Sequence, residues 1–340
     1  MYKSFHFMTI APILDKLADG INLEPSEAKY AMTELMDGHL SPAQAGALLL
    51  TLRAKGETAE ELAAAVEVCL SRAVAVTGIE GEYIDIVGTG GDGKHSFNCS
   101  TCTALILAGM GYQVLKHGNR AVSSSSGAAD ALECVGYPLN LDPNGIRDSL
   151  KKSGFAFCLA PHYHPGFKNI VPIRRELGVR TLFNLLGPMI NPSRPTHMMM
   201  GVAKPEMVEK IARVMALGGY RRALVIHGAG GYDEATAFGP VTAALIEEGE
   251  VKPFRFDPAD YGFTPPSSED ELRVETREEA EAAVRAVLSG QGSKAMNDMV
   301  CINLSLALSL LAPELDMQSC VSRARMAVAQ GVAMKVIAAW

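Results

Sequence analysis

Basic runs are short in this chain. No more than two or three cations follow one another, and 38 acidic side chains against 31 Lys and Arg leave a net charge of −7. A nucleic-acid backbone is therefore excluded as the expected partner. A phosphorylated small molecule is not excluded, because it needs only a few local cations and backbone N–H groups. Long apolar runs are also missing. Stretches such as LALSLLAP are interrupted by Ser and fall short of the roughly 20 residues of a membrane span, so no membrane association is expected. The opening MYKSFHFMTIAPILDKLADG has no basic segment followed by a long apolar core, and Asp15 arrives early. No secretory signal is expected there, and the cytoplasm is the expected location. The seven cysteines (Cys69, Cys99, Cys102, Cys134, Cys158, Cys301, Cys320) are odd in number and scattered, unlike a disulfide framework. Cys99 and Cys102 form a C-x-x-C with no second pair, which reads as small buried side chains rather than a zinc or redox site. No internal repeat or low-complexity tract occurs.

What is present divides in two. Residues 1–78 read as helices only: SEAKYAMTELMDG, SPAQAGALLLTLRAKG and TAEELAAAVEVCLSRA each open with a Ser or Thr suited to N-capping, and two of the three close at Gly. Ala45, Leu48, Leu49 and Leu52 keep helical spacing, so a small bundle with its apolar stripes turned inward is expected. From residue 79 to 340 short apolar runs (EYIDIV, YQVLK, FAFCLA, HMMMGVA, RALVIHG) alternate with helical stretches. That alternation predicts an α/β fold: a mostly parallel central sheet flanked by helices. Residues 167–192 interrupt it and are expected to pack back on the helical domain. Beyond residue 250 a Pro-rich acidic loop is expected to lead into three closing helices.

In an open α/β sheet, ligands bind at the carboxyl ends of the strands. Four loops at such positions are polar and Gly-rich: GTGGDGKHSFNCST, KHGNRAVSSSSG, PHYHPGFKN and AGGYDEA. The first satisfies two motifs in part. Gly88, Gly90 and Gly93 fit the dinucleotide G-x-G-x-x-G, but the next strand ends in Lys116 where an acid should hold the ribose. Gly88, Gly93 and Lys94 fit most of the phosphate loop G-x-x-x-x-G-K-[ST], but His95 replaces the hydroxyl that holds magnesium. Asp92 inside the loop would repel a pyrophosphate unless a Mg²⁺ lay between them. Asp233 and Glu234, flanked by Gly230 and Gly231, can both turn inward on such an ion, with Ser100 adding a hydroxyl. Lys116, Asn119 and the Ser123–Ser126 cluster supply cation and donors, and Gly127 precedes a helix start that favours an anion. Arg174 reads equally as a solvated helix residue paired with Glu176.

GTGGD, FNCST, KHGNR with SSSSGAADALE, HPGFKN with RRELGVRTLFNLLGP, YDE and VCINLSLAL occur in that order. The chain thereby resembles anthranilate phosphoribosyltransferases over nearly its whole length. The resemblance implies a nucleoside-phosphorylase type of fold, a homodimer formed through the helical domain, and phosphoribosyl pyrophosphate (PRPP) and anthranilate as substrates. It assigns PRPP to Gly88, Gly91, Asp92, Ser96, Asn98, Ser100, Lys116, His117, Asn119, Ser123, Ser124, Ser126, Gly127 and Ala128. It assigns anthranilate to Gly88, Asn119, His164, Arg174, Gly187 and Pro188, with Arg174 facing the carboxylate; Arg174 and His164 are the candidates for a direct part in catalysis. Two Mg²⁺ are implied, one on Ser100 and Glu234 and one on Asp233 and Glu234. Ser125, Ala128, Gly166, Phe167 and the neighbours of the Asp233–Glu234 pair depart from the family's commoner residues, so a substituted anthranilate is an alternative acceptor. A pyrimidine-nucleoside phosphorylase is a second alternative, but it needs no metal-binding carboxylate pair. A non-catalytic nucleic-acid-binding relative is opposed by the net charge.

Overall fold

The computed structural model describes residues 9–121 and 126–340, which leaves Ser123, Ser124 and Ser125 of the serine loop outside the described residues. The chain forms two compact units, one from the residues up to Ala73 together with His164–Ile190, the other from Val74–Tyr163 and Asn191–Trp340.

The first unit is helical. It begins with α1 (Ile10–Ala18), α2 (Pro25–Asp37), α3 (Pro42–Lys55) and α4 (Ala59–Ser71), with α1 packed on α3 and α2 on α4. Ser41 and Thr58 cap α3 and α4 by accepting from the backbone of Gln44 and Glu61, whose side chains reach back to complete capping boxes. The first of the three expected caps is different: α2 starts at Pro25 with Glu24 as its cap, so Ser26 lies within the first turn. A proline with its fixed φ is suited to the first helical position, and it sets the boundary before the serine. Ala45, Leu48, Leu49 and Leu52 are all buried. The later segment adds a 3₁₀ turn (Pro165–Asn169) and the short helices Val171–Leu177 and Phe183–Leu186, which pack on α2, α3 and α4 respectively.

The second unit is built on a seven-stranded sheet. Five strands are parallel: β1 (Tyr83–Gly88), β2 (Gln113–Gly118), β3 (Phe155–Leu159), β4 (His197–Gly201) and β5 (Arg222–His227). An antiparallel hairpin of β6 (Val241–Glu247) and β7 (Glu250–Phe256) closes one edge, giving the order β3-β2-β1-β4-β5-β6-β7. The expected Pro-rich acidic loop follows β7, and no element was expected over the hairpin. Its two turn residues, Glu248 and Gly249, have φ of 52° and 81°, the positive values a tight primed turn requires. Pro253 is tolerated because β7 is an edge strand.

The helices α5 (Cys99–Gly109), α6 (Ala128–Cys134) and α7 (Pro143–Ser153) connect the first strands, and four helices from Arg277 to Ile337 finish the chain where three were expected. Of these, Lys294–Leu311 is an 18-residue helix, longer than the apolar run read from sequence, and 67% of it is buried inside the protein as a core helix against α5. All seven cysteines are free, and Cys99 and Cys102 are fully buried. Burial pushes both thiols up, which leaves them without the thiolate character of a redox or metal pair. In mid-β1, Asp85 is also fully buried. It accepts from Asn191 Nδ2 at 2.9 Å, and burial pushes its carboxyl up to about 6.

Candidate active site

From β1 the chain builds the sheet outward through β2 and β3, then returns to lay β4 against the other side of β1. This reversal is the switch point where open α/β sheets bind ligands. Gly88 and Gly201 are register partners at the ends of β1 and β4. Neither position has room for a side chain. A Cβ on Gly201 would lie 1.4 Å from the Asp233 carbonyl oxygen, and one on Gly88 would lie 2.3 Å from Asp233 Oδ2. The loop after β5 is therefore laid directly across the two strand ends.

That placement assembles three carboxylates. One oxygen from each of Asp92, Asp233 and Glu234 falls within 4.8 Å of the others. Gly90 N–H donates to Asp233 Oδ2 at 2.6 Å, the Asp233 N–H reaches Asp92 Oδ2 at 3.4 Å, and Ser96 Oγ donates to Glu234 Oε2 at 3.1 Å. Burial, and then the charge of Asp92, pushes the Asp233 carboxyl up. Burial, and then Asp233 and Asp92, pushes Glu234 well above the usual carboxylate range. Three half-buried or buried acids held together in spite of this repulsion, with hard oxygen donors only, fit a divalent cation of the Mg²⁺ kind. Asp92, which the sequence places beside a Mg²⁺ but outside the metal-ligand set, thus joins the acid pair.

The first loop is held from its far side by residues 269–274. Lys94 Nζ pairs with Glu269 at 2.9 Å and sits 5.0 Å from the centre of the Tyr232 ring, while Val274 N–H donates to His95 O and Phe97 N–H to Leu272 O. His95 is exposed and adopts φ 54°, a left-handed conformation. Gly91 follows Gly90 at positive φ in the same loop. Asn98, at the start of α5, donates to Ser126 Oγ at 3.0 Å and so ties this loop to the end of the serine loop. The base of the serine loop is drawn together by Asp130, whose Oδ2 accepts from both Ala121 and Gly127 N–H at 2.9 Å, while Oδ1 meets Arg120. Asn119 Oδ1 accepts from the Arg120 N–H, and Ala128 opens α6.

Lys116, expected as a point charge toward the phosphoribosyl part, lies inside the protein. It is 1% exposed, and its ammonium donates to Ile86 O and, at 3.3 Å, to Ser100 Oγ. The alternation of β2 turns Lys116 and His117 to opposite faces of a sheet covered on both, and both are buried. The ammonium supports Ser100 from beneath.

In the helical unit, Arg174 is half-buried beside the Phe183 ring, 5.6 Å from its centre, with Asn184 Oδ1 at 3.4 Å. Among the described residues it pairs with no carboxylate, Glu176 included. His164 is 5% exposed and meets the Phe167 ring edge-on; burial pushes its imidazole down to about 4, which leaves it neutral at pH 7. Gly187 opens a 3₁₀ turn in which Pro188 is buried.

Residues 80–334 match the a/b domain of a glycosyl transferase family, and residues 11–73 match the helical bundle domain of that family. The anthranilate phosphoribosyltransferase of Nitratidesulfovibrio vulgaris (strain DSM 19637 / Miyazaki F) is 53% identical over 96% of this chain and 97% of its own length. The crystal structure of anthranilate phosphoribosyltransferase from Thermus thermophilus superposes with a TM-score of 0.86 at 34% identity, covering 96% of this chain and 97% of that one. The Saccharomyces cerevisiae enzyme in complex with PRPP and Mg has the same fold, with a TM-score of 0.86 at 24% identity over 97% and 96% of the two chains. The chain belongs to this glycosyl transferase family and, within it, to the anthranilate phosphoribosyltransferase family.

Proposed function

We propose that the chain transfers the phosphoribosyl group of PRPP to the amine of anthranilate in tryptophan biosynthesis, giving N-(5-phosphoribosyl)anthranilate and pyrophosphate. The observation that carries this reading is the Asp92–Asp233–Glu234 cluster at the switch point, directly beside the Gly-rich loop. Two Mg²⁺ are assigned there, one on Ser100 and Glu234 and the other on Asp233 and Glu234, with Asp92 completing the acidic set. Bound Mg²⁺ would neutralise the charge that builds on pyrophosphate as its bond to ribose C1 breaks. The backbone and hydroxyls of Gly88–Ser100 bind the pyrophosphate, with Asn119, Ser126, Gly127 and Ala128 on the phosphoribosyl part. Lys116 and His117, both buried, act from behind that surface.

An aromatic amine is unprotonated at neutral pH, so attack on C1 needs no strong base from the protein. Catalysis then rests on positioning and on charge stabilisation. His164 stays neutral, so Arg174 supplies the cation for the anthranilate carboxylate, while Gly187 and Pro188 shape the surroundings of the ring. Ile21, Leu50, Val171 and Val179 are large apolar side chains exposed on the helical unit, and they support assembly of a homodimer through it. The test is the decay of anthranilate fluorescence with PRPP and Mg²⁺, repeated with Asp233→Asn/Glu234→Gln. The reading requires magnesium-dependent decay in the wild type and its loss in the double variant. Phosphorolysis of a pyrimidine nucleoside in place of that decay would overturn it.

A further inference from the structure

We infer that Asn303 is a positioning residue that couples the two backbone segments carrying the proposed metal ligands, an inference that rests on the magnesium reading above. Asn303 lies in the core helix Lys294–Leu311 and is 2% exposed. Its side-chain amide is engaged on every side. Oδ1 accepts from the Ala235 N–H at 3.1 Å, and the two N–H groups of Nδ2 donate to the Ala235 and Met299 carbonyls, each at 2.8 Å, with Cys99 Sγ in contact at 3.6 Å.

Ala235 directly follows Glu234, and Cys99 directly precedes Ser100. One amide therefore grips both main-chain groups of the residue beside the acid pair and touches the first residue of α5, which carries the hydroxyl. Ala235 is fully buried, so its N–H and C=O have no water to turn to if this grip is lost. The loop after β5 has no regular secondary structure between Asp233 and Thr236 to hold it otherwise. The acid cluster itself resists assembly, because its carboxylates repel one another, and the grip on Ala235 opposes that repulsion from the main chain beside Glu234. An amide meets the need where a carboxylate or an apolar residue cannot, since it offers a donor and an acceptor to one residue's main chain at once. Asn303→Asp keeps the shape but sets a carboxylate oxygen against the Ala235 carbonyl. Asn303→Ser is too short to span both groups.

The experiment is Mn²⁺ titration of the full-length protein without substrate, with free Mn²⁺ read by its electron paramagnetic resonance signal. Thermal unfolding is followed in parallel. Either Asn303 variant is expected to raise the Mn²⁺ concentration for half-saturation about tenfold, the low end of what loss of a ligand-orienting group costs. The anthranilate KM should stay within about twofold. Ser305→Ala, on the same helix, serves as a control for a buried hydrogen bond lost away from the acid loop, since among the described residues its hydroxyl donates to the Cys301 carbonyl alone, at 2.6 Å; its Mn²⁺ affinity should match the wild type. Folded Asn303 variants with wild-type Mn²⁺ affinity, beside a Glu234→Gln variant whose affinity drops, would overturn the positioning role alone. A Glu234→Gln variant with wild-type affinity would overturn the metal reading and this inference with it.

Discussion

Gly88 and Asp233 occupy one another's space: a Cβ on the glycine would lie 2.3 Å from the aspartate Oδ2, which also accepts the 2.6 Å hydrogen bond from Gly90. The end of β1 is thus cut to the shape of a carboxylate delivered from the loop after β5. Gly88→Ala should leave the fold intact, since the atom it strikes is the tip of a side chain that can rotate away. It should raise the Mg²⁺ concentration for half-maximal rate roughly 10- to 100-fold, as displaced metal-site groups do. Gly201→Ala meets a backbone oxygen at 1.4 Å and cannot be relieved by a rotamer change. Its melting temperature should fall well below that of Gly88→Ala. Equal melting temperatures for the two, with unchanged magnesium dependence, would show that the strand-end glycines do not shape the site.

Arg174 keeps a half-buried guanidinium with no carboxylate partner among the described residues, and burial holds its pKa below the ordinary value. A cation placed this way is available to an anion from outside the chain. Arg174→Lys should raise the anthranilate KM by roughly 10- to 100-fold, the worth of a charge-assisted hydrogen bond in a planar fork that lysine cannot reproduce. The PRPP KM should move less than about twofold. A purely structural arginine would lower the melting temperature and leave both constants alone.

Much of this was legible in the sequence because it is written locally. The five parallel strands are short apolar runs, and the caps Ser41 and Thr58 precede their capping-box partners by three residues. The hairpin over 241–256 was missed because burial along β6 does not alternate cleanly between its two faces, and the two-residue Glu248–Gly249 turn, its one local signal, lies among acids. Asp233 and Glu234 were legible as an acid pair after an apolar strand. Asp92 lies 141 residues from Asp233, and Asn303 lies 68 residues from Ala235, so neither contact leaves a trace in local spacing. Lys116 was misplaced for a related reason. Its residue type suggests an exposed charge, while the register of β2 beneath α5 buries it.

His95 stands where the phosphate-loop motif would have a magnesium-binding hydroxyl, and its φ of 54° explains why a hydroxyl of threonine type is unsuited there. A β-branched residue in the left-handed region is strained, and an ordinary side chain costs about 1–2 kcal/mol there. His95→Gly should keep activity and leave the melting temperature equal or higher. His95→Thr should lower it by a few degrees without altering the magnesium dependence, a shift of the size expected for about 1 kcal/mol in a domain of this size. A tighter magnesium requirement in His95→Thr would mean that position 95 does reach the ion after all.

Asp85 ties stability to pH through burial. Its carboxyl is pushed up to about 6 from 3.8, so between those values the folded protein keeps a proton that the unfolded chain has released. Stability contributed by this group is therefore present below pH 4 and is lost as pH rises through 6. Asp85→Asn leaves an oxygen to accept from Asn191 and the His117 N–H but removes the titration. The difference in unfolding free energy between variant and wild type should shift in the variant's favour by roughly 2 kcal/mol from pH 4 to pH 7, following about 1.4 kcal/mol per pKa unit. Urea unfolding at a series of pH values measures it. Parallel stability curves for the two proteins would place the Asp85 charge in compensated surroundings, with the nearby Lys116 ammonium as the compensating group.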